Sequence, residues 1–355
     1  MPRILKTKQL NFFLILIILA IGSAIVLLCC TPPMSRDALT HHLYVPSLYI
    51  LHGGIYEIPE IEFSYFPMNL DLLYAIPLFF NNDSIPKFIH FFFAIATAVI
   101  IYRYIKKRIN STYALLACIF FLSTPIIIKL SITVYVDLGL IFFSTGALLL
   151  LFEWVRNPEN NRRYLILSAV FCGLAAGTKY NGLIVLFLLT CFVPLIFTSS
   201  NRDNQNCAQL NIRYCLYFFF IALFVFSPWL IRNTLWTNNP LYPLYDNFFN
   251  PANNPLATDD KQIRLGIFKL RELLYGESAL QIFLLPIRVF FEGQDNIPQY
   301  FDGKLNPFLL LLPLFAFFNK NKTNEKFFLA LYSILTFLFV LFTTNMRIRY
   351  ISAIV

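Results

Sequence analysis

Blocks of about 18 to 22 mostly apolar residues recur along this chain, and each is long enough to cross a hydrocarbon core as a helix. Hydrophobic residues make up 58% of the 355 residues and charged residues only 13%. A soluble protein of this size would be roughly a quarter charged. The pattern therefore excludes a large soluble enzyme and predicts an all-α, polytopic membrane protein.

The apolar blocks predict a single transmembrane domain over residues 1–355. Its spans are predicted at 11–30, 85–104, 112–130, 138–155, 164–179, 181–198, 214–231, 307–319 and 327–344. The two long connections, 31–84 and 232–306, are the predicted outer loops. A shorter apolar stretch at 66–80 contains two prolines and is predicted to be an amphipathic or partly re-entrant helix at the outer interface.

Several smaller features complete the predicted topology. The first apolar block is a retained helix rather than a cleaved signal, because no small-residue cleavage site follows it. Short helices are predicted at 260–275 and 278–291 within the second outer loop. The last residues, 349–355, resemble the start of another span, so the sequence is expected to be a C-terminally truncated piece.

Basic residues decide the predicted orientation. The net charge of +9 comes largely from Lys and Arg clusters beside the apolar blocks, such as 103–108 and 156–163. The positive-inside rule puts these clusters and the N-terminus in the cytoplasm, which leaves the acidic residues concentrated in the outer loops. We therefore predict an inner (plasma) membrane protein of the cell envelope whose functional surface is periplasmic. The same clustering disfavours nucleic-acid binding.

Two acidic residues lie at the predicted outer ends of helices. Asp37 follows the first span, and if the next stretch is helical, Asp37, His41 and Tyr44 share one face by their spacing. Asp137 lies at the second outer turn, where a carboxylate is costly unless it is paired or hydrated. A simpler interpretation, of capping carboxylates beside interfacial His and Tyr, is favoured for the first loop taken alone.

Cations lie on the same predicted side. Lys179 follows a run of Gly and Ala in a tight turn, where it can snorkel to the interface or hold a lipid phosphate. Arg232 stands beside two tryptophans, as in an interfacial aromatic belt. Arg349 and Tyr350 lie outside against the positive-inside bias. This violation indicates an anionic ligand, because Arg forks suit phosphate.

The order and sidedness of these motifs resemble the GT-C glycosyltransferases, membrane enzymes that use polyprenyl-phosphate sugars. The nearest branch contains the protein O-mannosyltransferases and the lipid A aminoarabinose transferase. The resemblance covers nearly the whole chain, and each motif is weak alone. The motifs are Asp37 with its His- and Tyr-rich continuation, Asp137, Thr178-Lys179-Tyr180, Pro228-Trp229 followed by Arg232 and Asn239-Pro240, and Arg349-Tyr350.

The resemblance implies transfer of a sugar from a polyprenyl-phosphate donor to an acceptor hydroxyl on a lipid, a polysaccharide or a protein. Asp37 and Asp137 match the family's catalytic acidic positions, the first as general base or acceptor-orienting group and the second as a residue that shapes the site. The implied substrate-binding residues are His41, Tyr44, Lys179, Tyr180, Arg232, Arg349 and Tyr350. Membrane lipids are the other expected partners.

No metal or other cofactor is expected to be required, although Asp37, Asp137 and His41 carry groups that can ligate a divalent cation. No Cys spacing typical of a zinc site or a disulfide framework occurs among the seven cysteines. Three other classes stay open: a secondary transporter, a lipid flippase and a non-catalytic scaffold. Most charges lie at helix ends and in loops rather than in mid-span, which disfavours transport.

Overall fold

The computed structural model describes residues 2–200, 207–251, 267–318, 324–341 and 346–351. All regular secondary structure in these ranges is helical, which confirms the all-α prediction. Five helices are long and apolar enough to cross a membrane. They are α1 (Pro2–Cys29), α4 (Ile85–Arg108), α7 (Asp137–Trp154), α9 (Gly182–Ser200) and α10 (Cys207–Thr237). The chain is therefore a multi-pass membrane protein.

The other predicted spans also coincide with helices. These helices are α5 (Ser111–Ser123) with α6 (Pro125–Ser131), α8 (Arg162–Ala176), α15 (Phe308–Phe318) and α16 (Asn324–Leu341). Counting the bent pair α5–α6 as one span raises the number of candidate spans in the described residues to six. The count of nine stays a prediction, and its residues 319 and 342–344 lie outside the described ranges.

The bend between α5 and α6 has a local cause. Asn110 caps α5 by accepting a hydrogen bond from the backbone N–H of Tyr113 at 3.0 Å. Pro125 has no N–H to continue α5, but its fixed φ suits the first turn of a new helix. The two helix axes therefore differ by 67°. The bend leads the chain through the buried Val134 and Val136 into the start of α7.

Small residues bring α8 close to its neighbours. A Cβ atom on Gly182 would lie 2.2 Å from the backbone oxygen of Ala175, and one on Gly173 would lie 2.5 Å from that of Ala222. Only glycine allows backbones to approach this closely. The α8–α9 hairpin is therefore tight, and its turn, residues 177–181, is held at one end of the bundle.

That end, which also carries the two long connections, is called the loop end. In the first connection, α2 (Tyr44–His52) stops at Gly53, whose φ of 83° is the left-handed conformation common at helix C-termini. The following α3 (Asn69–Phe79) buries Tyr74 and leaves Ile76 exposed. A helix therefore lies within the predicted stretch 66–80, but it buries its charged Asp71 and exposes apolar side chains, so its amphipathic character stays a prediction.

The second connection contains α11 (Asp246–Phe249), α12 (Ile267–Tyr275), α13 (Ala279–Phe283) and α14 (Leu285–Phe291). The prediction of one helix over 278–291 was wrong, because Pro286 cannot continue α13 and begins a new helix. Of the helix predicted at 260–275, residues 260–266 lie outside the described ranges.

The opposite end of the bundle is joined by ion pairs. Arg108 at the end of α4 bonds Glu325 of α16 at 2.5 Å and Glu153 of α7 at 3.2 Å. Lys107 also pairs with Glu153 at 2.6 Å. These partly exposed pairs connect three helices, while the candidate site residues gather at the loop end.

Candidate active site

Asp37 is paired with a cation from the far end of the sequence. The side chain of Arg349, on the short helix α17 (Ile348–Ile351), bonds the Oδ2 atom of Asp37 at 2.5 Å. Burial acts to raise the pKa of Asp37, but the Arg349 guanidinium outweighs it and holds that pKa below its ordinary value. Asp37 is 22% exposed. It is therefore an ionised carboxylate that solvent or a ligand can reach.

The segment after Asp37 is π-helical over Ala38–His42 rather than α-helical. The backbone N–H of Leu43 donates to the carbonyl of Ala38 at 2.9 Å, five residues back. The α-helical spacing expected for Asp37, His41 and Tyr44 therefore does not apply. Tyr44 is 49% exposed at the start of α2. Among the described residues, no hydrogen bond or ring contact joins it to the other candidates.

His41 lies against the same group of charges. Its ring stacks on Phe63 at 4.4 Å and lies 4.1 Å from that of His42. Burial, reinforced by the neighbouring His42, lowers the pKa of His41 to about 3. His41 is consequently neutral at physiological pH and adds no charge beside Asp37.

Asp137 is paired with Lys179 at 2.7 Å. Asp137 begins α7 and its side chain is only 1% exposed, while Lys179 comes from the turn after α8 and is 18% exposed. The Oδ2 atom of Asp137 has no hydrogen-bond partner among the described residues. The pair is thus a nearly dry ion pair, with the cation on its accessible side.

Tyr350 connects the two ion pairs. The Lys179 ammonium lies 4.7 Å from the centre of the Tyr350 ring, and the Arg349 guanidinium lies 5.3 Å from it. Arg349 also lies 5.0 Å from the ring centre of Tyr135. Both cations therefore face the negative face of an aromatic ring. The carboxylates of Asp37 and Asp137 belong to one cluster, in which two negative charges balance two positive ones.

Tyr180 and Arg232 form an adjoining group. Arg232 lies between the rings of Trp229 and Trp236, at 4.6 and 4.9 Å. It donates to the carbonyl of Phe66 at 3.2 Å, but its Nη1 is buried without a partner and no carboxylate in the described residues pairs with it. The Tyr180 hydroxyl donates to the carbonyl of Tyr242 at 2.6 Å.

Two buried polar groups that support this cluster were not predicted. Asp71 of α3 pairs with His42 at 2.7 Å. His90 accepts from the backbone N–H of Leu138 at 3.0 Å, while its Nδ1 is 2.9 Å from the carbonyl of Leu130. Because Nε2 accepts and Nδ1 donates, the His90 ring is neutral and carries its proton on Nδ1. His90 thereby holds the first turn of α7, where Asp137 lies. Polar residues inside apolar stretches are the signal that could have identified both.

The donor set does not favour a bound metal. Among the described residues, no three or more His, Cys, Asp or Glu side chains are grouped so as to hold an ion. Asp37 and Asp137 are each occupied by a cationic side chain. That no metal is required stays a prediction.

Comparisons with known proteins give two findings. The sequence model of the dolichyl-phosphate-mannose-protein mannosyltransferase family matches residues 74–231. The structure is similar to the apo form of the Archaeoglobus fulgidus oligosaccharyltransferase, with 14% identity and a TM-score of 0.52 over 97% of this chain. This chain covers 49% of that protein, so it spans about half of its length. No curated protein matches the sequence.

The fold is therefore that of this GT-C oligosaccharyltransferase, and the mannosyltransferase family model matches a little less than half of the chain. Both findings agree with the resemblance given by the motif order. The family match includes Asp137, Lys179 and Tyr180, and it ends just before Arg232.

Proposed function

We propose that this protein is a membrane glycosyltransferase that moves a sugar from a polyprenyl-phosphate donor to an acceptor hydroxyl, at the extracytoplasmic face of the plasma membrane. The observation that carries the proposal is a partly exposed, ionised Asp37 in one cluster with Lys179, Arg349 and Tyr350. The GT-C fold supports the class of reaction, and the positive-inside rule supports the orientation.

Asp37 acts on the acceptor. Its carboxylate accepts a hydrogen bond from the acceptor hydroxyl and takes the proton as that oxygen bonds to the anomeric carbon of the sugar. The bond between the anomeric carbon and the phosphate oxygen breaks, and its electron pair leaves with the polyprenyl phosphate. Because a phosphate leaves readily, the reaction needs no second carboxylic acid of the kind that glycosidases use.

The charges around the three cations indicate which of them bind the donor phosphate. The donor phosphodiester carries one negative charge, and the departing phosphate monoester gains a second. Arg232 has no paired carboxylate among the described residues, so its charge is available to a phosphate. Lys179 is paired with Asp137 but is the accessible partner of that pair at 18% exposure, whereas Arg349 is 10% exposed and paired with Asp37. We assign the donor phosphate to Arg232 and Lys179, whose positions are linked through the 177–181 turn and Asn233.

Asp137 has a different role from Asp37. At 1% exposure its carboxylate is too buried to touch a sugar or an acceptor, but it holds the Lys179 ammonium at 2.7 Å. We therefore assign Asp137 as a positioning residue that keeps Lys179 in place. Arg349 positions Asp37 in the same way.

The test is turnover of radiolabelled polyprenyl-phosphate mannose, glucose and aminoarabinose by the full chain in lipid nanodiscs with a membrane extract as acceptor source. Asp37→Asn should lower turnover of the accepted donor by about a hundredfold or more, as expected for loss of a general base. Asp83→Asn, an exposed carboxylate in the same connection, is the matched control and should leave turnover unchanged. Normal turnover by folded Asp37→Asn would rule out the assignment, and a wild-type chain inert toward every donor would rule out the reaction.

A further inference from the structure

A cavity separate from the candidate active site lies in the 232–306 connection. Its volume is about 410 Å³, within the range of small-molecule sites. Tyr275 and Tyr300 line it together with Gln294 and Gln299. Both tyrosines are half-buried, so they present part of their surface to the cavity.

A fixed ion network forms the floor of this cavity. Glu277, 2% exposed, receives two hydrogen bonds from Arg271 at 2.6 and 2.9 Å and one from Arg288 at 3.1 Å. Arg288 also pairs with Glu292 at 2.7 Å. Two guanidinium groups thus balance two carboxylates. Because the charges cancel, the floor favours neither a phosphate nor a metal cation.

The walls carry neutral hydrogen-bonding groups. Among the described residues, no hydrogen bond engages the side chains of Tyr275, Tyr300, Gln294 or Gln299. Each amide offers a donor and an acceptor, and each phenol offers both from one oxygen, which matches hydroxyls that also donate and accept. The Tyr300 ring, together with the face of Tyr275 that is not covered by the Arg271 guanidinium at 5.0 Å, adds flat apolar surface for the C–H face of a pyranose. We propose that this cavity binds a neutral carbohydrate unit.

The cavity wall is tied to the active-site segment. The carbonyl of Phe301, next to Tyr300, accepts from the backbone N–H of Ile348 at 2.8 Å. Asp302 bonds Lys129 at 3.1 Å and lies 3.7 Å from Arg347. A sugar in the cavity therefore lies beside the segment that carries Arg349. If the proposed transferase function holds, on which this step rests, the carbohydrate belongs to the acceptor, which is then itself a glycan or glycoconjugate.

The experiment measures binding rather than transfer. Neutral trisaccharides of glucose, galactose, mannose and N-acetylglucosamine are titrated onto the full chain in nanodiscs and followed by saturation-transfer NMR. We expect saturable binding of at least one of them, weakened about tenfold or more by Tyr300→Ala and by Gln299→Ala. Exposed residues elsewhere supply the matched controls, Tyr113→Ala and Gln209→Ala, which should bind as the wild type does.

Three results would overturn the cavity assignment: no binding at up to about 10 mM, binding that survives both cavity variants, or preference for an acidic sugar or inorganic phosphate. Thermal unfolding of each variant separates lost binding from lost folding. Asp37→Asn should bind the trisaccharide normally while turnover is lost. Failure of the transferase proposal therefore shows in turnover alone, and failure of the cavity proposal shows in binding alone.

Discussion

Replacing Lys179 by Met tests whether the Asp137 pair behaves as a buried ion pair. The change leaves a carboxylate that is 1% exposed without the cation 2.7 Å away. Removing one partner of a buried pair costs about 3–5 kcal/mol, and the 18% exposure of Lys179 puts the expected loss of unfolding free energy near the lower end, about 3 kcal/mol. In a chain this long, 1 kcal/mol shifts the melting temperature by about 2 °C or less, so we expect a fall of about 5 °C.

The double variant Asp137→Asn with Lys179→Met measures how much of the loss comes from the ion pair itself. It leaves no unpaired charge, so its melting temperature should fall by clearly less than the sum of the two single changes, with a coupling of about 2 kcal/mol. Tyrosine and tryptophan fluorescence in nanodiscs follows the unfolding, and donor turnover should be lost in all three variants. Lys269→Met, from an exposed pair with Glu272, is the control and should shift the melting temperature little. Strictly additive losses would refute the buried pair.

Three further predictions concern pH, packing and orientation. Because the pKa of Asp37 is held below its ordinary 3.8, its carboxylate stays ionised as the pH falls. Donor turnover should therefore stay level from about pH 8 to 5 and decline only below about pH 4. A turnover profile with its midpoint near pH 6.5 would instead indicate a histidine base. Gly182→Ala should reduce the yield of folded protein in size-exclusion chromatography, since its Cβ would lie 2.2 Å from a backbone oxygen. The control is Gly22→Ala, whose Cβ would have no atom within 4 Å and which should leave the yield unchanged. In a variant whose native cysteines are replaced by Ser, an impermeant maleimide added to intact cells should label Met34→Cys and leave Arg162→Cys unlabelled; the reverse pattern contradicts the orientation.

Most of the fold could be predicted from local signals in the sequence. Apolar block length indicates the long helices, and Pro125 explains the break that divides the predicted span 112–130. The mistaken helix over 278–291 contains the same kind of signal in Pro286. The π-helical turn over Ala38–His42 has no such local signal, because α- and π-helical turns use the same residue types and tertiary contacts decide between them.

Several members of the candidate site could be predicted from the sequence, but the pairing of their charges could not. Sidedness and motif order put Asp37, Asp137, Lys179 and Arg349 on one surface, and the structure places them in one cluster. Nothing in the sequence tells which carboxylate takes which cation, since the partners are separated by 42 residues in one pair and by most of the chain in the other. The support from His90 was missed because its partners are backbone groups of another segment.

The two ion pairs differ in which partner is the more buried, and this determines how much stability each substitution should cost. A lone carboxylate at the start of α7 would be strongly unfavourable, so Asp137 is tolerated only when the 177–181 turn brings Lys179 against it. The α8–α9 hairpin must therefore be in place for the Asp137 carboxylate to be paired. In the other pair the cation is the more buried partner, since Arg349 is 10% exposed and Asp37 is 22% exposed. Substitution of Asp37 therefore leaves a largely buried guanidinium short of one partner and should lower the melting temperature as well as abolish turnover. The loss of stability should be smaller than for a substitution that leaves Asp137, at 1% exposure, unpaired.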